Sequence, residues 1–120
     1  MTYAFPFEKL EVWKKAKILS VEIYRFTASF PEEEKFGIVS QMRRAAVSVA
    51  SNIAEGASRL SRKDQAHFYQ IAYGSLAELL CQVIIASDLS YLSPDGLSRL
   101  RCGIEEVSRM LNSLKNSRVC

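Results

Sequence analysis

The stretch RRAAVSVASNIAEGASR, from Arg43 to Arg59, combines arginines with a run of small residues. Two adjacent arginines open it, a third ends it, and Ala, Ser and Val predominate between them. Asn52 is the one amide and Glu55 the one carboxylate among them. An amide and a carboxylate in such a setting indicate one of three roles: a catalytic or ligand site, a surface that contacts nucleic acid, or polar groups that fix how helices pack.

The same stretch belongs to a longer segment in which a stripe of residues recurs at alternating steps of four and three. Its members are Ile38, Met42, Ala45, Val49, Asn52 and Gly56. Equivalent spacing recurs from Val12 to Phe30 and from Leu97 to Leu114. A sustained period of 3.5 residues is typical of bundled helices that cross at a shallow angle. These segments are therefore predicted to be helices of one bundle.

Three breaks that contain Gly or Pro separate the helical segments: FPEEEKFG (30–37), EGASRLSRKD (55–64) and LSPDG (92–96). We predict four helices, at about residues 8–29, 36–58, 62–90 and 94–116, in a single domain over residues 1–120. No segment alternates with period two, so we expect no sheet. Short connections between long helices predict an all-α, antiparallel up-down-up-down four-helix bundle.

The third segment, from Phe68 to Ala86, is apolar around much of its girth, which predicts a contact outside the subunit. A domain of 120 residues has too shallow an interior to cover such a helix completely. We therefore expect copies of this chain to form a homo-oligomer. Tyr69 and Tyr73 are predicted to lie in the core or at the interface between copies, and their alternative role is to stack nucleobases.

Composition and charge are those of an ordinary globular domain, with 48% apolar residues, 24% charged residues and a net charge of +3. The charge permits an acidic partner without requiring one. We expect no signal peptide, because residues 1–15 lack a basic region followed by an apolar core. The longest uncharged run, Gln65 to Ala77, is shorter than a membrane span of about 20 residues. We expect a cytoplasmic protein without membrane contact. Cys81, Cys102 and Cys120 are predicted to be free thiols.

The sequence lacks the patterns of common catalytic and metal sites. Its single histidine, His67, follows Asp64 by three residues, but a carboxylate-bridged di-iron bundle needs two such pairs and two further carboxylates. No Ser, Cys or Lys lies in a nucleophile motif, and no Gly-rich phosphate loop is present. We therefore predict no catalytic residue, no metal and no cofactor.

Three ordered blocks carry a resemblance to a known family: FEKLEVWKKA (7–16), FPEEEKFGIVSQMRRAAVSVASNIAEG (30–56) and FYQIAYGSLAELLCQ (68–82). Over residues 7 to about 92 the chain resembles the four-helix-bundle proteins encoded in intervening sequences of bacterial 23S ribosomal RNA genes. The resemblance implies a left-handed four-helix bundle that assembles as a homopentamer. It also implies kinship with the accessory proteins of diversity-generating retroelements, which are basic bundles that bind nucleic acid and a reverse transcriptase.

The paired arginines of the opening stretch are candidates for ion pairs between helices. If consecutive helices form antiparallel hairpins, Arg43 and Arg44 lie near Glu22, and Arg44 lies within a turn of Glu78. Arginine suits such a bridge because its planar guanidinium makes two parallel bonds to a carboxylate. We predict that one of these arginines bridges to Glu22 or to Glu78.

Asn52 and Glu55 lie near the turn between the second and third helices. We expect them to hydrogen-bond backbone groups at the helix ends there, or groups across a subunit boundary. Buried polar groups with partners often specify one arrangement at some cost in stability. This favours the third role, in which the polar residues of the opening stretch fix register and assembly.

Basic residues form the candidate nucleic-acid surface: Arg59, Arg62, Lys63, Lys14, Lys15, Arg99 and Arg101. Repeated around a ring, they would contact many phosphates at once, which gives strong and salt-dependent binding. Interspersed acidic residues also fit a merely solvated surface. We predict a non-enzymatic, oligomeric binding or scaffold protein whose partner is RNA or DNA. The alternative is a protein–protein interaction adaptor without nucleic-acid binding, and the resemblance suggests a partner protein such as a reverse transcriptase.

Overall fold

The computed structural model describes the backbone of residues 2–119 and the side chains of residues 2–114. It contains four α-helices: α1 (Glu11–Thr27), α2 (Ile38–Ala57), α3 (Arg62–Asp88) and α4 (Pro94–Val119). Two short 3₁₀ helices, Pro6–Lys9 and Glu32–Glu34, precede α1 and α2. No strand occurs within residues 2–119, and the predicted all-α class with four helices is confirmed.

Each predicted helix boundary lies within three residues of the observed one. Local signals explain where the helices begin. α1 begins at Glu11 rather than residue 8 because Pro6–Lys9 forms its own 3₁₀ helix and Leu10 is extended. α3 begins after Ser61, whose hydroxyl accepts a hydrogen bond from the Asp64 amide at 3.1 Å. This bond satisfies one of the free amides at the helix start.

The core consists of one apolar stripe from each helix. Its fully buried members include Ile23 of α1, Met42, Val49 and Ile53 of α2, Tyr69, Leu79 and Val83 of α3, and Leu100, Val107 and Leu111 of α4. Among the described residues α1 packs against α2 and α4, and α3 packs against the same two helices. On α2 the stripe departs from the prediction at two levels, where Val39 and Ile53 are buried while Ile38 and Asn52 lie half-buried beside them.

α3 is the one described helix that is long and apolar enough to cross a membrane, with a mean hydropathy of 1.3 over its most apolar 18 residues. Length and composition alone decide this criterion, and the core helix of a bundle also meets it. In this protein α3 packs between α2 and α4, and 33% of that window is buried. The bundle therefore covers one side of α3 and leaves the other side on the surface.

Tyr91, in the turn between α3 and α4, connects that turn to the segment between α1 and α2. Its hydroxyl donates a hydrogen bond to Glu34 Oε2 at 2.9 Å. Its ring packs on Phe30 with 5.3 Å between the ring centroids. Because Glu34 lies at the end of the second 3₁₀ helix, this contact holds the adjoining residues Lys35 and Phe36 at one end of the bundle.

The Tyr91 contact predicts a pH dependence of stability at alkaline pH. The hydrogen bond to Glu34, aided by burial and by the charges of Glu34 and Glu33, raises the pKa of Tyr91 above its ordinary value of 10.0. A raised pKa means that the contact stabilises the fold fully below pH 10 and that this stabilisation is lost as pH rises through the folded-state pKa. We expect the stability difference between the parent chain and Tyr91→Phe to stay constant below about pH 10 and to shrink as the pH rises above it. Urea titrations check this, and a constant difference would contradict it.

Candidate nucleic-acid interface

Five of the seven cations predicted to contact nucleic acid form ion pairs within the subunit. The pairs are Lys14–Glu11 at 2.9 Å, Lys15–Glu106 at 3.7 Å, Arg59–Glu55 at 2.9 Å, Arg99–Glu22 at 3.0 Å and Arg101–Glu105 at 3.5 Å. Pairs between exposed side chains are weak and exchange readily. Each pair nevertheless places a negative charge beside the cation, which reduces its attraction for a phosphate group.

The other two predicted cations, Arg62 and Lys63, lie exposed at the start of α3. No carboxylate lies within 4.0 Å of either among the described side chains. Arg59 lies in the preceding turn with its guanidinium 4.6 Å from the Phe68 ring centroid. Arg99, by contrast, lies beside Phe26 near the end of α1. The seven residues therefore do not converge on one surface of the subunit.

Arg43 makes contacts that differ from its predicted role. Its Nε donates to Thr27 Oγ1 at 3.0 Å and its Nη2 donates to the Tyr24 carbonyl at 3.3 Å. Its guanidinium also lies 4.5 Å from the Tyr24 ring centroid. The predicted bridge to Glu22 is not formed, because Arg43 lies beside Thr27, more than a turn farther along α1. Glu22 faces α4 instead, where it pairs with Arg99.

Arg44 and Glu78 do not form the predicted bridge either. Both side chains are exposed, and neither has a partner of opposite charge within 4.0 Å in the part of the chain with described side chains. The two charges therefore remain available for contacts with another molecule.

Asn52 hydrogen-bonds Ser48 of its own helix, and Ser48 connects α2 with α3, which differs from the predicted contact of Asn52 with a helix end. Its Nδ2 donates to the Ser48 carbonyl at 2.9 Å and to Ser48 Oγ at 3.1 Å. Ser48 Oγ in turn shares a hydrogen bond of 2.8 Å with Ser75 Oγ on α3. The difference arises because Asn52 folds back over its own helix, while Glu55 pairs with Arg59 one turn later.

Tyr69 is a core residue and cannot stack a nucleobase, because it is fully buried. Its ring lies so close to α2 that a Cβ atom at Gly56 would come within 2.6 Å of Tyr69 Cε1. Tyr73 is half-buried and lines a cavity of about 130 Å³ with Leu80 of α3 and Ile104 of α4. Both tyrosines therefore face other helices of the subunit.

Sequence reasoning missed a group of cations and aromatic rings where α1 ends and α2 begins. A shallow cavity of about 370 Å³ is lined there by Tyr24, Lys35, Phe36, Val39, Ser40, Arg43 and Arg44, which we call the hairpin cluster. Phe36 is 90% exposed and Tyr24 is 45% exposed. Lys35 Nζ lies 5.6 Å from the Phe36 ring centroid. The sequence signal for this cluster was the adjacent Lys35 and Phe36 in a turn. The rest of the cluster comes from α1 and α2, and the sequence alone does not show which of their residues meet there.

His67 and Asp64, weighed above as half of a metal site, lie exposed on the first turns of α3. The His67 ring packs edge-on against Phe68 with 5.3 Å between centroids. Across the described side chains, no three His, Cys, Asp or Glu residues lie close enough together to hold a metal ion.

Known proteins are similar to this chain in sequence pattern and in fold. A family model described as "23S rRNA-intervening sequence protein" matches residues 8–113. No curated protein matches the chain. Among solved structures, a protein of unknown function from the S23 ribosomal protein family of Bacteroides thetaiotaomicron has a TM-score of 0.77 and 23% identity, over 85% of this chain and 95% of that chain. That likeness concerns the helical fold alone. Because the family match reaches all four helices, this chain belongs to the 23S rRNA-intervening sequence protein family.

Proposed function

We propose that the protein is a self-assembling, non-enzymatic helical scaffold of the cytoplasm that binds RNA or DNA. The observation that carries the proposal is the uneven distribution of apolar residues over the surface. Large exposed apolar side chains occur on α1, α2 and α3 and in their connections, whereas α4 has none over its described side chains, residues 94–114. Extensive exposed apolar surface on a folded domain marks an interaction site.

One apolar surface lies on the side of α3 that faces away from the bundle. We call it the outer α3 face; the exposed Glu78 lies within it, and its six apolar or small residues are Ile71, Gly74, Ala77, Cys81, Ile84 and Ile85. All six residues are exposed, and a Cβ atom at Gly74 would meet nothing within 4 Å. Small residues between larger apolar ones permit the close approach of another helix.

A second apolar surface is a groove between α1 and α2. This α1–α2 groove has a volume of about 330 Å³, and its lining includes Phe7, Trp13, Val21, Val47, Ala50 and Ala54. When two different surfaces of one chain bind each other, the copies associate head-to-tail, and the assembly closes into a ring if the rotation allows it. Docking of the outer α3 face into the α1–α2 groove of a neighbour would produce such a ring, and the family resemblance makes a pentamer the expected size.

Contacts between α1 and α4 support the antiparallel up-down-up-down arrangement that we propose for the bundle, with the left-handed twist implied by the resemblance. Glu22 pairs with Arg99 at 3.0 Å, and Lys15 pairs with Glu106 at 3.7 Å. Residue numbers therefore rise along α1 while they fall along α4. This is the pattern expected of the first and last helices of an up-down-up-down bundle, which are antiparallel neighbours.

Surface charge favours nucleic acid as the partner. The chain has a net charge of +3, and Arg25, Arg44, Arg62 and Lys63 lie exposed without a carboxylate within 4.0 Å among the described side chains. A ring would repeat each of these cations once per subunit, so that many phosphates are contacted together. The alternative is an adaptor for a protein such as a reverse transcriptase. It is favoured by the ion pairs within the subunit that five of the seven predicted cations form, because these pairs reduce the attraction of the cations for phosphate.

Two measurements on the purified chain test the proposal. Sedimentation is expected to give the mass of an oligomer at micromolar concentration. Fluorescent RNA and DNA oligonucleotides are expected to bind with an affinity that falls at least about tenfold between about 50 and 200 mM salt. An oligomer that binds neither at about 50 mM salt would favour the adaptor. A chain that stays a single subunit at micromolar concentration would contradict the proposed scaffold.

A further inference from the structure

We propose that the hairpin cluster is a binding site for unpaired nucleotides. In this site the exposed rings of Phe36 and Tyr24 stack bases. Arg43, Arg44 and Lys35 bind the adjoining phosphates. The inference rests on the proposed function and adds to it the location of the site and the single-stranded form of the nucleic acid.

Arg43 is held in a defined orientation before any ligand arrives. The Thr27 hydroxyl donates to the Ile23 carbonyl at 2.7 Å, so its oxygen is free to accept from Arg43 Nε at 3.0 Å. Arg43 Nη2 makes a second bond, to the Tyr24 carbonyl. A guanidinium carries five N–H donors, so three remain for a ligand. A planar donor group that is already oriented loses little conformational freedom when it binds phosphate.

The two aromatic rings lie at the same cavity and are open to solvent. Phe36 is 90% exposed, so packing within the subunit does not account for an apolar ring at this position. The Tyr24 ring is 45% exposed and is in contact with the Arg43 guanidinium. Bases of any sequence stack on exposed aromatic rings, and neighbouring arginines add a cation–π contribution. The pairing of rings with cations therefore matches the composition of single-strand binding sites.

Charge around the cluster favours a phosphate ligand. Lys35, Arg43 and Arg44 have no carboxylate within 4.0 Å among the described side chains, unlike most of the cations predicted from the sequence. Glu34 is turned toward the Tyr91 hydroxyl. Glu32 opposes phosphate binding, since it lines the adjacent cavity of about 170 Å³ together with Lys35 and Arg43. Glu33 and Glu34 lie beside Glu32 in the second 3₁₀ helix, so this turn carries three carboxylates, but the cavity itself is lined by the three cations and by none of these carboxylates.

The exposed rings also favour unpaired over paired nucleic acid. In a duplex the faces of the bases are stacked on one another, and only the base edges are reached from the grooves. A ring that projects from a turn can stack only on a base whose face is free. The cluster is therefore expected to bind single strands in preference to duplexes.

The test compares a fluorescent single strand of mixed sequence with the duplex of the same sequence, by anisotropy on the full chain. The parent is expected to bind the single strand more tightly. Phe36→Ala is expected to weaken single-strand binding about tenfold and to leave duplex binding within about twofold. Leu60→Ala is the matched control, because Leu60 is a fully exposed apolar residue in the turn between α2 and α3, and it is expected to change neither affinity.

Salt dependence separates the cations from the rings. Arg44→Gln and Lys35→Gln are each expected to reduce the slope of log affinity against log salt by about 0.7 for a single strand, because each removes one phosphate contact. Phe36→Ala is expected to leave that slope unchanged. Circular dichroism and sedimentation of every variant establish that fold and mass are those of the parent.

Three results would overturn the site while the proposed function stands. The first two are equal affinity of the parent for single strand and duplex, and equal losses of single-strand affinity in Phe36→Ala and Leu60→Ala. The third is a change of molar mass in Phe36→Ala, which would make the cluster a contact between copies. If the parent binds neither form at about 50 mM salt, the nucleic-acid function itself fails and the site fails with it.

Discussion

Gly74→Arg is expected to reduce the molar mass of the protein to that of a single subunit without unfolding it. Gly74 lies at the centre of the outer α3 face, where an added Cβ meets nothing within 4 Å. An arginine therefore fits the isolated subunit, and within a helix it is favoured over glycine by somewhat less than about 1 kcal/mol. In the proposed ring the same side chain would place a long, charged group at a position where the neighbouring subunit approaches closely, and it would hold the two surfaces apart.

The matched control for this variant is Ser98→Arg. Ser98 is exposed on α4, the helix without large exposed apolar residues in its described part, so an arginine there is expected to leave the oligomer intact. Sedimentation at micromolar concentration gives the mass, and thermal unfolding gives the stability of each variant. An unchanged oligomer in Gly74→Arg would show that the outer α3 face is not a subunit contact.

Gly56→Ala is expected to lower the free energy of unfolding by about 2 kcal/mol, in spite of the better helix propensity of alanine. The new Cβ would lie 2.6 Å from Tyr69 Cε1, 2.9 Å from Tyr69 Cδ1 and 3.2 Å from Phe68 Cβ. Tyr69 is fully buried, so its ring cannot move aside without displacing its core neighbours. Overpacking of this kind usually costs about 1–3 kcal/mol.

Gly103→Ala is expected to change the free energy of unfolding in the opposite direction. Gly103 lies within α4, and its added Cβ would make an ordinary contact of 3.5 Å with Leu19 Cδ1. Without a clash, the gain in helix propensity is expected to raise the free energy of unfolding by up to about 1 kcal/mol. Urea titrations of both variants check the pair. If Gly56→Ala also stabilises the protein, the close approach of α2 and α3 at this level is not a packing constraint.

The contacts of Arg43 and Glu22 show which features of the candidate interface could not be predicted from the sequence. The sequence predicts that Arg43 or Arg44 bridges to Glu22 or Glu78, because opposite charges at an assumed hairpin register are natural partners. A shift of about one helical turn, or about 5.4 Å, replaces every partner across such a hairpin. Arg43 therefore meets Thr27 and Tyr24, and Glu22 meets Arg99 from a helix much later in the chain. The hairpin cluster depends on the same register.

The number of helices, their approximate ends and the family were all readable from the amino-acid sequence. Each depends on signals that are local in the chain: the spacing of apolar residues, the Gly and Pro breaks, and ordered blocks such as FYQIAYGSLAELLCQ. Which apolar residues remain on the surface, and which cations remain unpaired, required the packed structure. Both depend on how far each helix is rotated and shifted against its neighbours, and that arrangement results from packing all four helices at once, so no single segment encodes it.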